Sequence, residues 1–176
     1  LHGLRLLPYG FAMHKILLTA SALIAIAVPA LAATKAPGPL SLGVFSDWTA
    51  ASYEAGGVHI CYAFTRAIGS AKTPSAGMIL VTERPTSRDE VVVNAPSAYP
   101  TKTEVSVQID KQDPMSFYTA GKSAFARDGR AAVIDMQRGS GASASWAGKS
   151  EKMGQKFSLS GFSAAYGAIV KACPAK

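Results

Sequence analysis

The chain has 176 residues, 48% of them hydrophobic, and a formal net charge of +7 from 18 basic and 11 acidic residues. The length suits one domain with a real core. The basic residues are scattered, with no long run and no repeated basic–aromatic interleaving, which argues for a solvated surface open to anionic partners and against nucleic acid.

The first element in chain order is a leader. Residues 1–12 begin at Leu1, stand upstream of Met13 and read as a start assigned too early, without fold information. His14 and Lys15 then form a short basic start, Ile16 to Val28 an uncharged apolar run, and Pro29 a break before Ala30-Leu31-Ala32. This is the order a signal peptidase reads, with cleavage expected near Ala32 and Ala33. A membrane anchor needs roughly 20 consecutive apolar residues. This run is shorter, and Ala33-Thr34-Lys35 offers no cysteine for a lipid, so no membrane span is expected after cleavage. Removing residues 1–32, with Arg5 and Lys15, leaves 144 residues carrying 16 basic and 11 acidic side chains, a net of +5. The expected location is the periplasm or the exterior.

Residues 33–43, with their prolines and glycines, are expected to form a flexible segment ahead of a single β-rich domain at 44–176. The period-2 alternation is clearest at 58–64, where Val58, Ile60, Tyr62 and Phe64 alternate with His59, Cys61 and Ala63. Cys61 therefore lies on the smaller-residue face. Val105, Val107 and Ile109 alternate with Glu104, Ser106, Gln108 and Asp110, the pattern of a half-buried strand. Further strands are expected at 47–53, 78–83, 90–94, 116–119, 123–126, 143–147 and 155–159. Turn signals separate most of them, at 54–57, 96–100 and 111–114.

Two segments read as helices. Asp128 is an acidic N-cap for residues 129–138, and Gly139 follows the end. Near the C-terminus, Ser160 is the expected cap of a helix whose Phe162, Ala165, Tyr166, Ile169, Val170 and Cys173 fall on one stripe before Pro174. The expected fold is mainly β, an antiparallel sandwich or barrel-like domain with a short helix near 129–138 and a C-terminal helix packed on the sheet. An α+β arrangement is the alternative.

Cys61 and Cys173 are the two cysteines, and an even count in an exported chain points to a disulfide, with two separate buried thiols as the alternative. Such a bond would pin the terminal helix to the 58–64 strand. His59 is the one histidine left after cleavage, no G-x-S-x-G elbow is present, and oxidised cysteines leave too few donors for zinc. Glu83, Asp89 and Glu90 cluster about a turn, interleaved with Arg84 and Arg88, which should hold the carboxylates ionised. Asp110 and Asp113 lack the spacing and glycine of a calcium loop. No catalytic residue, metal or cofactor is assigned.

Five segments together carry a resemblance. Phe45-Ser-Asp-Trp-Thr49, the Cys61 strand, Val81-Thr-Glu-Arg-Pro-Thr-Ser-Arg-Asp-Glu-Val91, Phe125-Ala-Arg-Asp-Gly129, and Phe157-Ser-Leu-Ser-Gly-Phe-Ser-Ala-Ala-Tyr166 with Cys173-Pro174 resemble the invasion-associated locus B family of exported alphaproteobacterial proteins. The likeness runs from about Phe45 to Pro174. It implies a periplasmic or envelope-associated β-rich domain without established enzymatic activity. The residues themselves add a binding surface, since aromatics flanked by Lys and Arg anchor protein or glycan partners. The candidates are Arg84, Arg88, Asp89, Tyr99, Lys102 and Trp146. The expected function is therefore non-catalytic binding of an envelope or host protein or an anionic glycan. A small periplasmic hydrolase acting on wall or glycan material through Glu83 or Asp89 is the alternative.

Overall fold

The structure is a computed structural model and describes residues 38–69, 76–148 and 150–176. The leader and its cleavage site, and residues 33–37, lie outside the described residues. Ten strands follow in chain order: β1 (Leu40–Phe45), β2 (Trp48–Ala55), β3 (Val58–Arg66), β4 (Met78–Arg84), β5 (Ser87–Asn94), β6 (Glu104–Ile109), β7 (Met115–Ala120), β8 (Ser123–Ala126), β9 (Gly141–Ala147) and β10 (Lys152–Ser158). Helix α1 (Gly129–Arg138) joins β8 to β9, and α2 (Phe162–Ala172) follows β10.

The strands form one antiparallel sheet in the order β1-β2-β3-β4-β5-β8-β7-β6-β9-β10. Hairpins build β1 to β5. The β6-β7-β8 meander then returns so that β8, not β6, lies beside β5, and α1 carries the chain across to β9. The sheet curls without closing its ladder. Its far edge comes back to the first hairpins, where Ile68 N–H donates to the Lys156 carbonyl at 2.8 Å and the Trp48 indole donates to the Ser158 carbonyl at 3.0 Å. The mainly β fold with a terminal helix on the sheet is as expected. One boundary differs: residues 40–43, expected in a flexible segment, belong to β1, whose Val44 and Phe45 pair with Thr49 and Trp48.

The two faces of the sheet are unlike. The inner face supplies Ile79, Val81, Val91, Val93, Val105, Val107, Ile109, Phe117 and Ala124, all essentially closed to solvent. Each of the Val, Ile and Phe side chains contributes about 1.5 to 3 kcal/mol when fully buried. On β3 the inner face is the small-residue one: Cys61 and Ala63 are fully buried, while Tyr62 and Phe64 on the opposite face are half-exposed. The reason is α2, which lies over β1, β2, β3 and β4. Ala165, Ala50 and Ala63 let helix and sheet approach closely, and the large residues of β3 must take the other side. Phe162 packs on Trp48 with ring centroids 4.7 Å apart, and both are fully buried.

The α2 stripe is as expected, with Phe162, Ala165, Tyr166 and Ile169 buried. Cys173 is joined to Cys61 across 112 residues of chain, with the Cα atoms 5.9 Å apart. The caps differ in detail. Asp128 accepts from Ala131 N–H at 2.9 Å as expected, but the glycine after α1 is not left-handed. A Cβ on Gly139 would lie 2.3 Å from Ile109 Cγ2, so that glycine is there for close packing. The α2 cap is Gly161, not Ser160, with φ +89 and no side-chain cap bond. A Cβ there would meet the Phe45 carbonyl oxygen at 1.9 Å. Gly161→Ala is expected to cost at least about 2 kcal/mol, since strained φ and a backbone clash add, and urea denaturation measures it.

Candidate functional site

The carboxylate cluster singled out in the sequence is a structural latch at the β4–β5 hairpin. Glu83 points to the inner side and has no exposed surface. Its Oε2 lies 2.5 Å from Arg88 Nε, and its Oε1 accepts from Asp89 N–H at 3.1 Å. Asp89 Oδ1 accepts the Tyr166 hydroxyl at 2.5 Å, and Oδ2 lies 3.7 Å from Arg130 Nη1. Arg88 also donates to the Cys173 carbonyl at 2.5 Å. The hairpin is thereby tied to the disulfide end of α2 and to the first turn of α1.

Burial raises the Glu83 carboxyl from its ordinary 4.5 to about 7, against the pull of Arg88. The expectation that the neighbouring arginines hold every carboxylate of this cluster ionised fails here, because desolvation outweighs the ion pair. Tyr166 is pushed above its ordinary value by burial first and by Asp89 second. Arg84 does not join the latch; it pairs with Glu90 at 3.2 Å on the opposite face.

The remaining candidates are dispersed. Tyr99 and Trp146 pack edge to face at 5.0 Å, only 7% and 8% exposed, and the Tyr99 hydroxyl donates to the Val93 carbonyl at 3.2 Å. Their burial corrects the reading of these two as free aromatic anchors. Lys102 is exposed in the turn before β6, with φ +61. The six residues therefore do not form one surface. His59 Nδ1 lies 2.5 Å from Glu54 Oε1, and His59, Cys61 and Cys173 have ligand atoms within 4.8 Å of one another. Both sulfurs are spent in the disulfide and are not thiolate donors. The Asp110 oxygens accept from Ser140 N–H at 2.8 Å and Gly141 N–H at 2.9 Å, which hold its carboxyl below the usual value and fix the turn into β9.

The arrangement that sequence reasoning missed lies on the outer face. Strand register aligns Phe64, Leu80, Val92, Phe125 and Tyr118 in one row across β3, β4, β5, β8 and β7. Tyr118 stacks on Phe125 at 5.4 Å and Tyr62 on Phe64 at 6.1 Å, while Tyr53 meets Tyr62 edge-on at 5.8 Å. Tyr62, Phe64, Leu80 and Phe125 are half-exposed, and Tyr118 is 45% exposed. An open trough of about 340 Å³ lies over the middle of the row, lined by Tyr53, Tyr62, Leu80, Val92 and Phe125, and Phe64 lines the neighbouring depression. The Arg84–Glu90 pair and Ser123, which donates to Asn94 Oδ1 at 2.7 Å, supply its polar groups. The signal was present in the 58–64 alternation, whose larger residues are on the outer face.

A broad antiparallel sheet with an aromatic outer face, one disulfide and a terminal helix packed on it defines a mainly β domain. The family profile described as invasion associated locus B (IalB) protein matches residues 48–170, and the chain belongs to that family. The invasion associated protein B of Bartonella henselae, known from a crystal structure, is similar in fold with a TM-score of 0.58. It shares 14% identity, and the match covers 76% of this chain and 96% of that one. No curated protein matches the sequence. Among the described residues, no helix is long and apolar enough to cross a membrane.

Proposed function

We propose that this IalB-family protein is exported and acts in the envelope by binding rather than by catalysis, with the outer face of β3, β4, β5, β8 and β7 as its contact surface. The observation that carries this reading is the row from Phe64 to Tyr118, whose Phe64, Leu80, Phe125 and Tyr118 are partly exposed about a buried Val92. A face of that kind has water to lose and rigid rings to offer, which is how interfaces gain most of their energy. A disulfide between Cys61 and Cys173 suits an oxidising compartment.

The raised Glu83 carboxyl is the observation that favours the hydrolase alternative, because perturbed acids gather at catalytic sites. Its side chain is sealed under Arg88, so a substrate would have to open the latch to reach it. Binding therefore has the stronger support. The test is a photo-crosslinking aromatic placed at Tyr62 in the native envelope, with the exposed Lys171 on α2 as the control position. One reproducible adduct specific to the Tyr62 position is expected. Equal capture from both positions would overturn the contact surface.

A further inference from the structure

The ends of the outer row differ in charge. Arg84 is already satisfied by Glu90 at 3.2 Å, and Arg127 beside Tyr118 is paired with Glu104. Arg66, at the last position of β3, has its guanidinium 6.0 Å from the Phe64 ring centroid. Its Nη1 is shielded from solvent without a hydrogen-bond partner. Among the described residues no carboxylate forms an ion pair with it; Asp47 lines the same depression of about 510 Å³ without pairing. The rest of the guanidinium lines that open depression with no carboxylate upon it, and guanidinium matches the geometry of an incoming carboxylate best.

Resting on the binding reading above, we infer that the outer face takes an acidic glycan strand of the cell's own wall, with sugar rings on the aromatic row and a sugar carboxylate on Arg66. The flat C–H faces of pyranose rings fit half-exposed aromatic side chains, and the Arg84–Glu90 and Asn94–Ser123 pairs offer donors and acceptors to hydroxyls along the trough. At 340 Å³ the trough is the size of the smaller ligand sites and is open to solvent. The net of +5 expected for the exported chain favours a negative partner over a neutral one.

The oxidised, exported protein is titrated calorimetrically with a hyaluronan tetrasaccharide, which carries carboxylates, and with its neutral counterpart chitotetraose, and is tested for retention on isolated wall sacculi. The acidic tetramer should bind, weakening about tenfold between low and high salt. Arg66→Gln should cost about tenfold and remove most of that salt dependence, whereas Arg84→Gln should change affinity less than about twofold. Tyr62→Leu and Phe125→Leu, which keep apolar volume but remove the flat ring, should each cost about tenfold with melting unchanged.

Equal binding of the neutral tetramer, or an Arg66→Gln protein that binds like the parent, would overturn the assignment of the carboxylate. Sugar binding without retention on sacculi would overturn the wall as source. If neither sugar binds while the Tyr62 crosslink captures a protein, the glycan inference falls and the contact surface stands. If both are silent, both fall.

Discussion

Cys61→Ala with Cys173→Ala is expected to lower the unfolding free energy by about 4 kcal/mol. The bond closes a loop across 112 residues, and both sulfurs are buried beneath α2. Without it, α2 keeps the Phe162–Trp48 packing and the Arg88 bond to the Cys173 carbonyl, so the helix should fray from its C-terminal end and not detach whole. Urea denaturation measures the loss, and the slope should rise because the uncrosslinked unfolded chain exposes more surface. Hydrogen exchange should speed first at residues 169–172. An unchanged midpoint would remove the disulfide from the account of stability.

The second large effect is a dependence of stability on pH from Glu83. Its carboxyl binds a proton more tightly in the folded chain, at about 7 against an ordinary 4.5. Between those values the folded state holds the proton and the unfolded state has lost it, so stability falls as pH rises. The contribution is fully present below about 4.5 and is lost as pH passes through about 7. The difference corresponds to about 3 kcal/mol, an upper figure because the Arg88 that covers Glu83 is itself partly exposed and lets solvent screen the pair. Glu83→Gln keeps an oxygen for Asp89 N–H and cannot titrate. Denaturation midpoints between pH 5 and 8 should slope downward in the parent and flatten in the variant. A parallel slope in both would assign the effect elsewhere.

Much of the fold was legible in the residues. Strand alternation at 58–64 and 104–110, the Asp128 cap and the α2 stripe are local patterns, and they correspond to β3, β6, α1 and α2. The two cysteines left one possible pairing, which the structure contains. What was not legible is long-range. Alternation says that two faces differ, not which one faces the helix; on β3 close approach by Ala165 puts the smaller residues inward. Tyr99 and Trp146 read as aromatic anchors of a binding surface, and only their mutual packing shows them closed to solvent. The outer row needs five strands in register, including β8 beside β5, an order that no adjacent segment announces. Leu40, Ser41 and Leu42 were hidden by neighbouring prolines and glycines, although β1 pairs with β2 through a register shift at Gly43. Glu83 misled because charge neighbours can be counted in a sequence, whereas desolvation cannot.

The Cys61–Cys173 bond also sets an order of events in time. On the export proposed above, the first hairpins, β1 to β5, can pair as soon as they emerge, since each joins its sequence neighbour. The covalent closure cannot form until Cys173 has followed, 112 residues later. During that interval the inner face of the early strands lacks α2, and Cys61 remains a thiol open to oxidants and to other chains. Folding is therefore a race between emergence of the last helix and capture of an early cysteine, and a chaperone or disulfide isomerase has its clearest opportunity in that window.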